Sequence, residues 1–153
     1  FKILFDLLNP ERVTIAAMAC GVGRFAIEKA VAYTSERSVF NGPIGAYQGV
    51  QHPLAAAKTQ IELSSLMMRK AAAQFDLGEE AGPASNMAKY AAAEAGIMAV
   101  DAALQAHGGN GFTHEYGMYD YYSMVRLLRT APINRELILN YIGEKVLGMP
   151  RSY

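Results

Sequence analysis

Apolar residues recur at the spacing of an α-helix over three long stretches of the chain. The first helix is predicted to begin at Asn9, because an N-cap residue, a proline and an acid follow one another there in the order that helix starts prefer. Glycines and prolines separate the other stretches and interrupt helices. The pattern predicts long helices at 9–37, 50–78 and 82–107 and shorter helices at 119–129 and 132–146.

Almost none of the chain alternates between apolar and polar residues with the period of a strand. Residues 1–8 are short and apolar, and we expect a strand or an extended arm there. The turns between the long helices are short, and short connections join neighbouring antiparallel helices. The predicted fold is therefore all-α: an antiparallel, up-down four-helix bundle with an extra C-terminal helix, forming one domain over residues 1–153.

The composition suits a closely packed helical protein, with 52% hydrophobic and 18% charged residues. Basic and acidic residues are equal at 14 each, so the chain has no overall field to hold a polyanion, and we expect no nucleic acid partner. The single cysteine, Cys20, excludes a disulfide framework and is predicted to be a buried structural thiol in a reducing compartment. No apolar run is long enough to predict a membrane span.

Metal chemistry has no signature in the sequence. Helical bundles that hold two iron ions need Glu-x-x-His pairs, and no histidine here follows a glutamate by three residues. We therefore expect no metal site. The three histidines, His52, His107 and His114, are predicted to be surface or capping residues.

Two glycine-bearing segments carry the chemistry of phosphate binding. In residues 37–48, Arg37 stands at a helix end, Phe40 at the turn and Gln48 at the start of the next helix. In the segment QAHGGNGF, Gln105 is followed by Gly108 and Gly109, whose backbone N–H groups are unhindered. Taken alone, each segment is more typical of an ordinary bundle turn or helix end.

Together, the two segments resemble the motifs of a known family. The run ERSVFNGPIGAYQ is similar to the RxxFGxPxxxxQ segment of acyl-CoA dehydrogenases, and QAHGGNGF is similar to their QxxGGxGF segment. LNPER and RLLRTA fall where that family begins its first C-terminal helix and places a late arginine-containing helix. The resemblance implies the C-terminal helical domain of an FAD-dependent acyl-CoA dehydrogenase, with the N-terminal helical domain and the middle β-domain outside these residues.

The resemblance also implies a catalytic base. In such enzymes a carboxylate removes a proton beside the thioester while a hydride passes to FAD. Most members carry this glutamate in a Glu-Gly-Thr loop, but residues 129–134 contain no acid. A minority place it on the first helix before an arginine, which implies Glu11 as the base, with Arg12 and Asn9 near the acyl-CoA. Glu136 is the weaker candidate, and Glu11 in a first helical turn would also stabilise the helix dipole without catalysis.

For the flavin, the resemblance implies that Arg37 binds the pyrophosphate, Phe40 packs near the adenine side and Gln48 hydrogen-bonds. Asn41 replaces the glycine that usually follows Phe40. In this family these residues serve the FAD of a neighbouring subunit. The glycine segment approaches the same FAD across a dimer interface through Gln105, Gly108 and Gly109.

The expected partners follow from the same resemblance. They are an acyl-CoA substrate, an electron-transfer flavoprotein as electron acceptor and further copies of the chain in a homodimer or homotetramer. The expected compartment is the cytoplasm, or the mitochondrial matrix in a eukaryote. Three alternatives stay open. One is an acyl-CoA oxidase-like relative, and another is a non-catalytic or hetero-oligomer partner subunit, which the missing Glu-Gly-Thr loop favours. The third is a bundle with an unrelated binding role, which requires the motif match to be a coincidence.

Overall fold

Five α-helices form the architecture of the computed structural model, which describes residues 2–152 and their side chains from residue 7 onward. The helices are α1 (Lys2–Glu36), α2 (Gln48–Asp76), α3 (Gly82–His107), α4 (Met118–Thr130) and α5 (Arg135–Tyr141). A hairpin of two short strands, β1 (Ser38–Val39) and β2 (Gly42–Pro43), and a 3-10 turn at Ile44–Ala46 connect α1 to α2. A second 3-10 turn, Gly108–Phe112, follows α3, and a π-helical turn, Ile142–Val146, follows α5.

The first helix begins earlier than the sequence pattern predicts. The expected strand or arm before Asn9 is wrong, because Lys2–Leu8 already belong to α1, while Phe1 lies outside the described residues. Asn9 and Pro10 therefore lie within the helix, although a proline there removes one intrahelical hydrogen bond. Positions 3, 4, 7 and 8 are apolar at helical spacing. The residues at 9–11 have the types of a helix start, and they led to the prediction of a later beginning.

The last helix begins later than predicted. Asn134 is its N-cap, and the Asn134 side chain accepts a hydrogen bond of 2.9 Å from the backbone N–H of Leu137. Pro132 lies in the connection between α4 and α5, after a cis peptide bond with Ala131. The predicted helix at 132–146 is therefore α5 and its π-helical turn, preceded by a short loop.

The helices run alternately up and down, with α3 contacting α1, α2 and α4. Ala19 and Gly23 of α1 lie against Gly96 and Ala99 of α3, so these two helices run in the same direction. Cys20 lies against Ile61 of α2 in the middle of both helices, and the connection between α1 and α2 is a tight hairpin. Lys89 of α3 reaches Arg129 near the end of α4, which makes that pair antiparallel. The predicted all-α up-down bundle is confirmed.

Small residues let the helix backbones approach closely. A Cβ atom placed on Gly96 would lie only 3.2 Å from the carbonyl oxygen of Ala19, so α1 and α3 meet backbone to backbone at this point. Cys20 is fully buried beside them, with its Sγ 3.9 Å from the carbonyl oxygen of Ile61. Burial raises the pKa of the Cys20 thiol, which keeps it protonated and agrees with a structural role.

Two further properties concern the described residues only. None of their helices combines the length and the apolar character that a membrane crossing needs. Among the described side chains, those of residues 7–152, no three of histidine, cysteine, aspartate or glutamate come together in a group that could hold a metal ion.

Candidate functional site

A cleft of about 550 Å³ lies where the end of α1, the hairpin and the start of α2 face the end of α3. It brings together two segments that are about 60 residues apart in the chain. Five of the six predicted cofactor-binding residues line it: Arg37, Phe40, Gln105, Gly108 and Gly109. The sixth, Gln48, is exposed at the first position of α2, and its neighbours Tyr47 and Gly49 line the cleft instead.

The hairpin presents a cation and an aromatic ring to this cleft. The backbone of Arg37 is fixed, because its N–H donates to the carbonyl oxygen of Tyr33 at 2.9 Å and its own carbonyl oxygen accepts from Ile44 at 2.8 Å. The Arg37 guanidinium makes no ion pair or hydrogen bond with the other described residues. Phe40 has a φ of +60° and is 92% exposed. An uncommon backbone conformation for a non-glycine residue thus holds a large ring in solvent.

The glycine turn is open on one side and packed on the other. Gly108 has a φ of +58°, a conformation that glycine adopts without steric cost. A Cβ atom on Gly108 or Gly109 would meet nothing within 4 Å, so a ligand can approach their backbone. The N–H of Gly108 already donates to the carbonyl oxygen of Gln105, which leaves the N–H of Gly109 as the candidate donor to a ligand. A Cβ atom on Gly111 would lie 2.9 Å from the carbonyl oxygen of Leu104, because Gly111 packs against the last turn of α3.

These features fit the cofactor that the family resemblance implies. A guanidinium without a protein partner and accessible backbone N–H groups are suitable donors for phosphate oxygens. An exposed aromatic ring offers a face on which a flat heteroaromatic ring can stack. Arg37 and the N–H of Gly109 would hold the phosphates of FAD, Gly108 would leave them room beside the turn, and Phe40 would contact one of the FAD ring systems.

Aromatic side chains that the sequence analysis missed stand behind the glycine turn. The His107 ring is 3% exposed and stacks on Tyr33, with ring centroids 4.4 Å apart and an angle of 24° between the planes. Tyr116 meets both rings edge-on, and the Asn110 side chain donates a 3.0 Å hydrogen bond to the Tyr33 hydroxyl. The expected surface position of His107 is wrong, because Tyr33 and Tyr116 enclose its ring. The expected capping role agrees with the structure, since Nδ1 of His107 lies 2.7 Å from the carbonyl oxygen of Ala103 in the last turn of α3.

The remaining histidines and the position of Tyr33 can be read from the sequence. His52 and His114 are exposed, as predicted. Tyr33 stands four residues before Arg37, and residues four apart share one face of a helix. That spacing was the available signal that Tyr33 reaches the same cleft.

The predicted base and substrate residues lie together on α1, far from the cleft. Glu11 is exposed and stands more than two turns after Lys2, the first residue of the helix. A stabilising contact with the helix dipole is confined to the first turn and therefore does not explain Glu11. Arg12 is only 4% exposed, and its Nη1 donates to the Asn9 side-chain oxygen at 3.2 Å.

Arg12 lacks part of the hydrogen bonding that a buried guanidinium needs. Its Nε is buried without a hydrogen-bond partner among the described residues. Burial lowers the pKa of Arg12, although the pKa of an arginine is so high that the side chain stays charged.

A buried lysine fastens the loop between α4 and α5 to α3. Lys89 is 1% exposed, and its Nζ donates to the carbonyl oxygens of Arg129 at 3.1 Å and Ile133 at 2.7 Å. Glu94 forms ion pairs with Arg129 at 2.8 Å and Arg135 at 3.3 Å. The sequence analysis missed Lys89, whose signal was a single lysine within an alanine-rich helical stretch.

The loop contains no acid, and the acid nearest to it has a structural explanation. Glu136 lies in the first turn of α5, where a carboxylate stabilises the helix dipole. Stabilisation of the helix dipole, which does not explain Glu11, therefore explains the position of Glu136.

The two regions are at opposite ends of one helix. Glu11 and Glu36, the last residue of α1, are separated by about 37 Å at 1.5 Å per residue. Within one copy of the chain, the predicted base and the predicted cofactor cleft therefore belong to separate sites.

The fold and the glycine-turn cleft define the C-terminal helical domain of a flavoprotein family. Residues 1–147 match the family described as acyl-CoA dehydrogenase, C-terminal domain. The chain therefore belongs to the acyl-CoA dehydrogenase family, as its sequence motifs predict.

Individual relatives agree with this assignment. The acyl-CoA dehydrogenase FadE12 of Mycobacterium tuberculosis is 53% identical over 152 residues, which cover 98% of this chain and 39% of that protein. The 3-(aryl)acrylate reductase of Clostridium sporogenes is 39% identical over 128 residues, 84% of this chain and 34% of the relative. The structure of butyryl-CoA dehydrogenase from Megasphaera elsdenii matches with a TM-score of 0.93 at 28% identity, over 96% of this chain and 38% of that one. The chain spans about two fifths of the length of such relatives.

Proposed function

We propose that the full-length protein is an FAD-dependent acyl-CoA dehydrogenase that introduces a double bond between the α and β carbons of an acyl-CoA thioester. The observation that carries the proposal is the cleft in which the Arg37 hairpin faces the Gly108-Gly109 turn. Membership of the family and the names of the relatives support it.

Different residues of this chain would bind the cofactor, accept the proton and contact the substrate. Bound FAD supplies the acceptor for the hydride. Arg37 donates charge-assisted hydrogen bonds to phosphate oxygens, and the N–H group of Gly109 donates to the same phosphates. Gly108, whose own N–H donates to the carbonyl oxygen of Gln105, leaves room for the phosphates to approach the turn. We propose that a carboxylate oxygen of Glu11 accepts the proton from the carbon beside the thioester, which requires the carboxylate to come within hydrogen-bond reach of that carbon. Asn9 and Arg12 then lie next to the bound acyl-CoA.

Assembly into a homo-oligomer would bring complete sites together. The cleft and Glu11 are at opposite ends of α1, so one ligand does not meet both within a single copy. In the proposed homodimer or homotetramer, the cleft contacts the FAD of a neighbouring subunit, while Glu11 serves the active site of its own subunit. An electron-transfer flavoprotein is the proposed electron acceptor.

Anaerobic mixing of the purified full-length protein with a panel of acyl-CoA thioesters tests the proposal. The protein is expected to purify with yellow FAD, and a suitable acyl-CoA is expected to bleach the flavin absorbance. A colourless protein that FAD does not reconstitute would overturn the proposal.

Two alternatives from the same family differ in measurable ways. An oxidase-like relative would pass its electrons to oxygen, so air would restore the flavin absorbance rapidly after bleaching. A non-catalytic partner subunit is favoured by the loop at 131–134, which contains no acid. That subunit would bind FAD or another chain but would leave the flavin oxidised with every thioester.

A pair of glycine variants separates cofactor binding from stability. Gly109→Ala is expected to weaken FAD binding with little effect on the melting temperature, because its Cβ points into open space at the cleft. Gly111→Ala is expected to destabilise the protein by about 1–3 kcal/mol, as overpacked sites do, because its Cβ would meet Leu104 at 2.9 Å. FAD titration and thermal denaturation of the full-length variants measure the two effects. If Gly109→Ala and Gly111→Ala lost FAD affinity equally and lost stability equally, the result would contradict the proposal that the cofactor binds to the open side of the glycine turn.

A further inference from the structure

We propose that His107 is an additional cofactor-binding residue, whose Nε2 accepts a hydrogen bond from a hydroxyl or amino group of the dinucleotide bound in the cleft. The proposal rests on the proposed function and adds a contact to the same site. His107 lines the cleft together with Arg37 and the glycine turn.

The hydrogen bonding of the ring defines its tautomer. The Nδ1 atom of His107 lies 2.7 Å from the carbonyl oxygen of Ala103. A carbonyl oxygen can only accept, so Nδ1 carries the proton. In the neutral imidazole the other nitrogen, Nε2, then has a lone pair and acts as an acceptor. Among the described residues, Ala103 is the one hydrogen-bond partner of this ring.

The ring is held in place before any ligand binds. Tyr33 stacks on one face of His107, and Tyr116 closes the stack from the side. The hydrogen bond from Asn110 to the Tyr33 hydroxyl ties this stack to the 3-10 turn that contains the glycines. Because the stacked ring cannot rotate away, its Nε2 is preorganised, and little conformational entropy is lost when a ligand donor binds to it.

The chemistry of the cleft indicates which ligand group meets Nε2. Phosphate oxygens without a proton can only accept hydrogen bonds, and they suit the Arg37 guanidinium and the N–H group of Gly109. A neutral Nε2 needs a donor instead. FAD carries donors close to its phosphates in its sugar hydroxyls, and further ones in the amino group of adenine. His107 therefore complements the phosphate-binding residues with a contact to the neighbouring part of the same ligand.

Two matched substitutions separate the roles of the two ring nitrogens. The side-chain amide of His107→Gln reaches the position of Nε2 and offers an acceptor oxygen there, whereas the shorter side chain of His107→Asn reaches only the position of Nδ1. Both variants lose the ring and its stacking on Tyr33. Glutamine also fills more volume and favours a helix more than asparagine, so a purely structural role predicts a difference in melting temperature. A difference in FAD affinity reports on Nε2.

The measurement is a titration of the full-length apoprotein with FAD, followed by flavin fluorescence, with the melting temperature of each apoprotein measured in parallel. His107→Asn is expected to bind FAD about 3- to 10-fold more weakly than His107→Gln, the effect of one net hydrogen bond. Equal dissociation constants for the two variants would overturn the role of His107. A wild-type protein that takes up no FAD would instead overturn the proposed function.

A third variant keeps the test decisive if the amide side chains prevent folding. His107→Phe retains a ring that can stack on Tyr33 and Tyr116 but has no nitrogen. It is expected to bind FAD about 3- to 10-fold more weakly than the wild type. Wild-type affinity in His107→Phe would also overturn the proposal.

Discussion

Replacing Glu11 with glutamine in the full-length protein is expected to slow flavin reduction by acyl-CoA about 10²- to 10⁴-fold, the usual contribution of a positioned general base. Glutamine has nearly the same size but cannot take up the proton. The position supports this role, because Glu11 is exposed within α1 and the helix dipole does not account for it. Anaerobic stopped-flow mixing, with flavin absorbance as the signal, gives the rate.

Two other glutamates serve as controls for that experiment. Glu28 is also exposed on α1, and Glu28→Gln is expected to reduce the flavin at the wild-type rate. Glu136→Gln tests the weaker candidate for the base and is likewise expected to leave the rate unchanged, since this side chain lies at the start of α5. Reduction at the wild-type rate in Glu11→Gln would show that another group removes the proton.

Replacing Lys89 with methionine is expected to lower the free energy of unfolding by about 2–4 kcal/mol, since two partly buried carbonyl groups lose a charged donor. Methionine fills a similar volume, so the loss reports hydrogen bonding and not a cavity. The carbonyls of Arg129 and Ile133 have Lys89 as their shared donor, and removing it releases the loop between α4 and α5 from α3. Denaturation of the full-length variants measures the effect. Lys70 is exposed on α2, so Lys70→Met serves as the control. A loss of unfolding free energy in Lys70→Met as large as that in Lys89→Met would contradict the hydrogen-bonding role of Lys89.

The difference in stability between the wild type and Lys89→Met is expected to depend on pH. Burial, together with the nearby charge of Arg12, lowers the pKa of Lys89 from 10.5 to about 8. Between these values the unfolded chain binds more protons than the folded one, so the stability of the wild type rises with pH. The neutral amine keeps two N–H groups, enough for the two carbonyls. The stability difference between wild type and Lys89→Met is therefore expected to grow from pH 8 to pH 10.5, and a constant difference would contradict the lowered pKa.

Much of the candidate cofactor cleft follows from the sequence. The motifs around Arg37 and Gly108 predict five residues that line one cleft, because the turns that carry them close the same end of the bundle. Gln48 was expected in this group, yet it is exposed at the first position of α2 beside the cleft. A shift of one residue along a helix turns a side chain by about 100°, and the motif does not specify that rotation.

The start of α1 shows how local signals can mislead. Asn9, Pro10 and Glu11 have the residue types of a helix start, but the helix begins at Lys2. The side chain of Asn9 instead accepts a hydrogen bond from Arg12. Because α1 begins at Lys2, Glu11 lies beyond the first turn, and its carboxylate does not stabilise the N-terminus of the helix.

The sequence by itself determined the number and order of the helices, though not where α1 and α5 begin, and the order of the family motifs and the chemical types gathered at the cleft, because periodicity and motifs are properties of neighbouring residues. Only the tertiary structure decided which polar groups are buried and what they contact. Lys89 meets carbonyl groups 40 and 44 positions away, and Tyr33 pairs with Asn110 at a separation of 77. Burial and hydrogen bonding depend on such distant contacts, which arise when the helices pack; the local sequence can single out a residue such as Lys89, but it does not identify the partner.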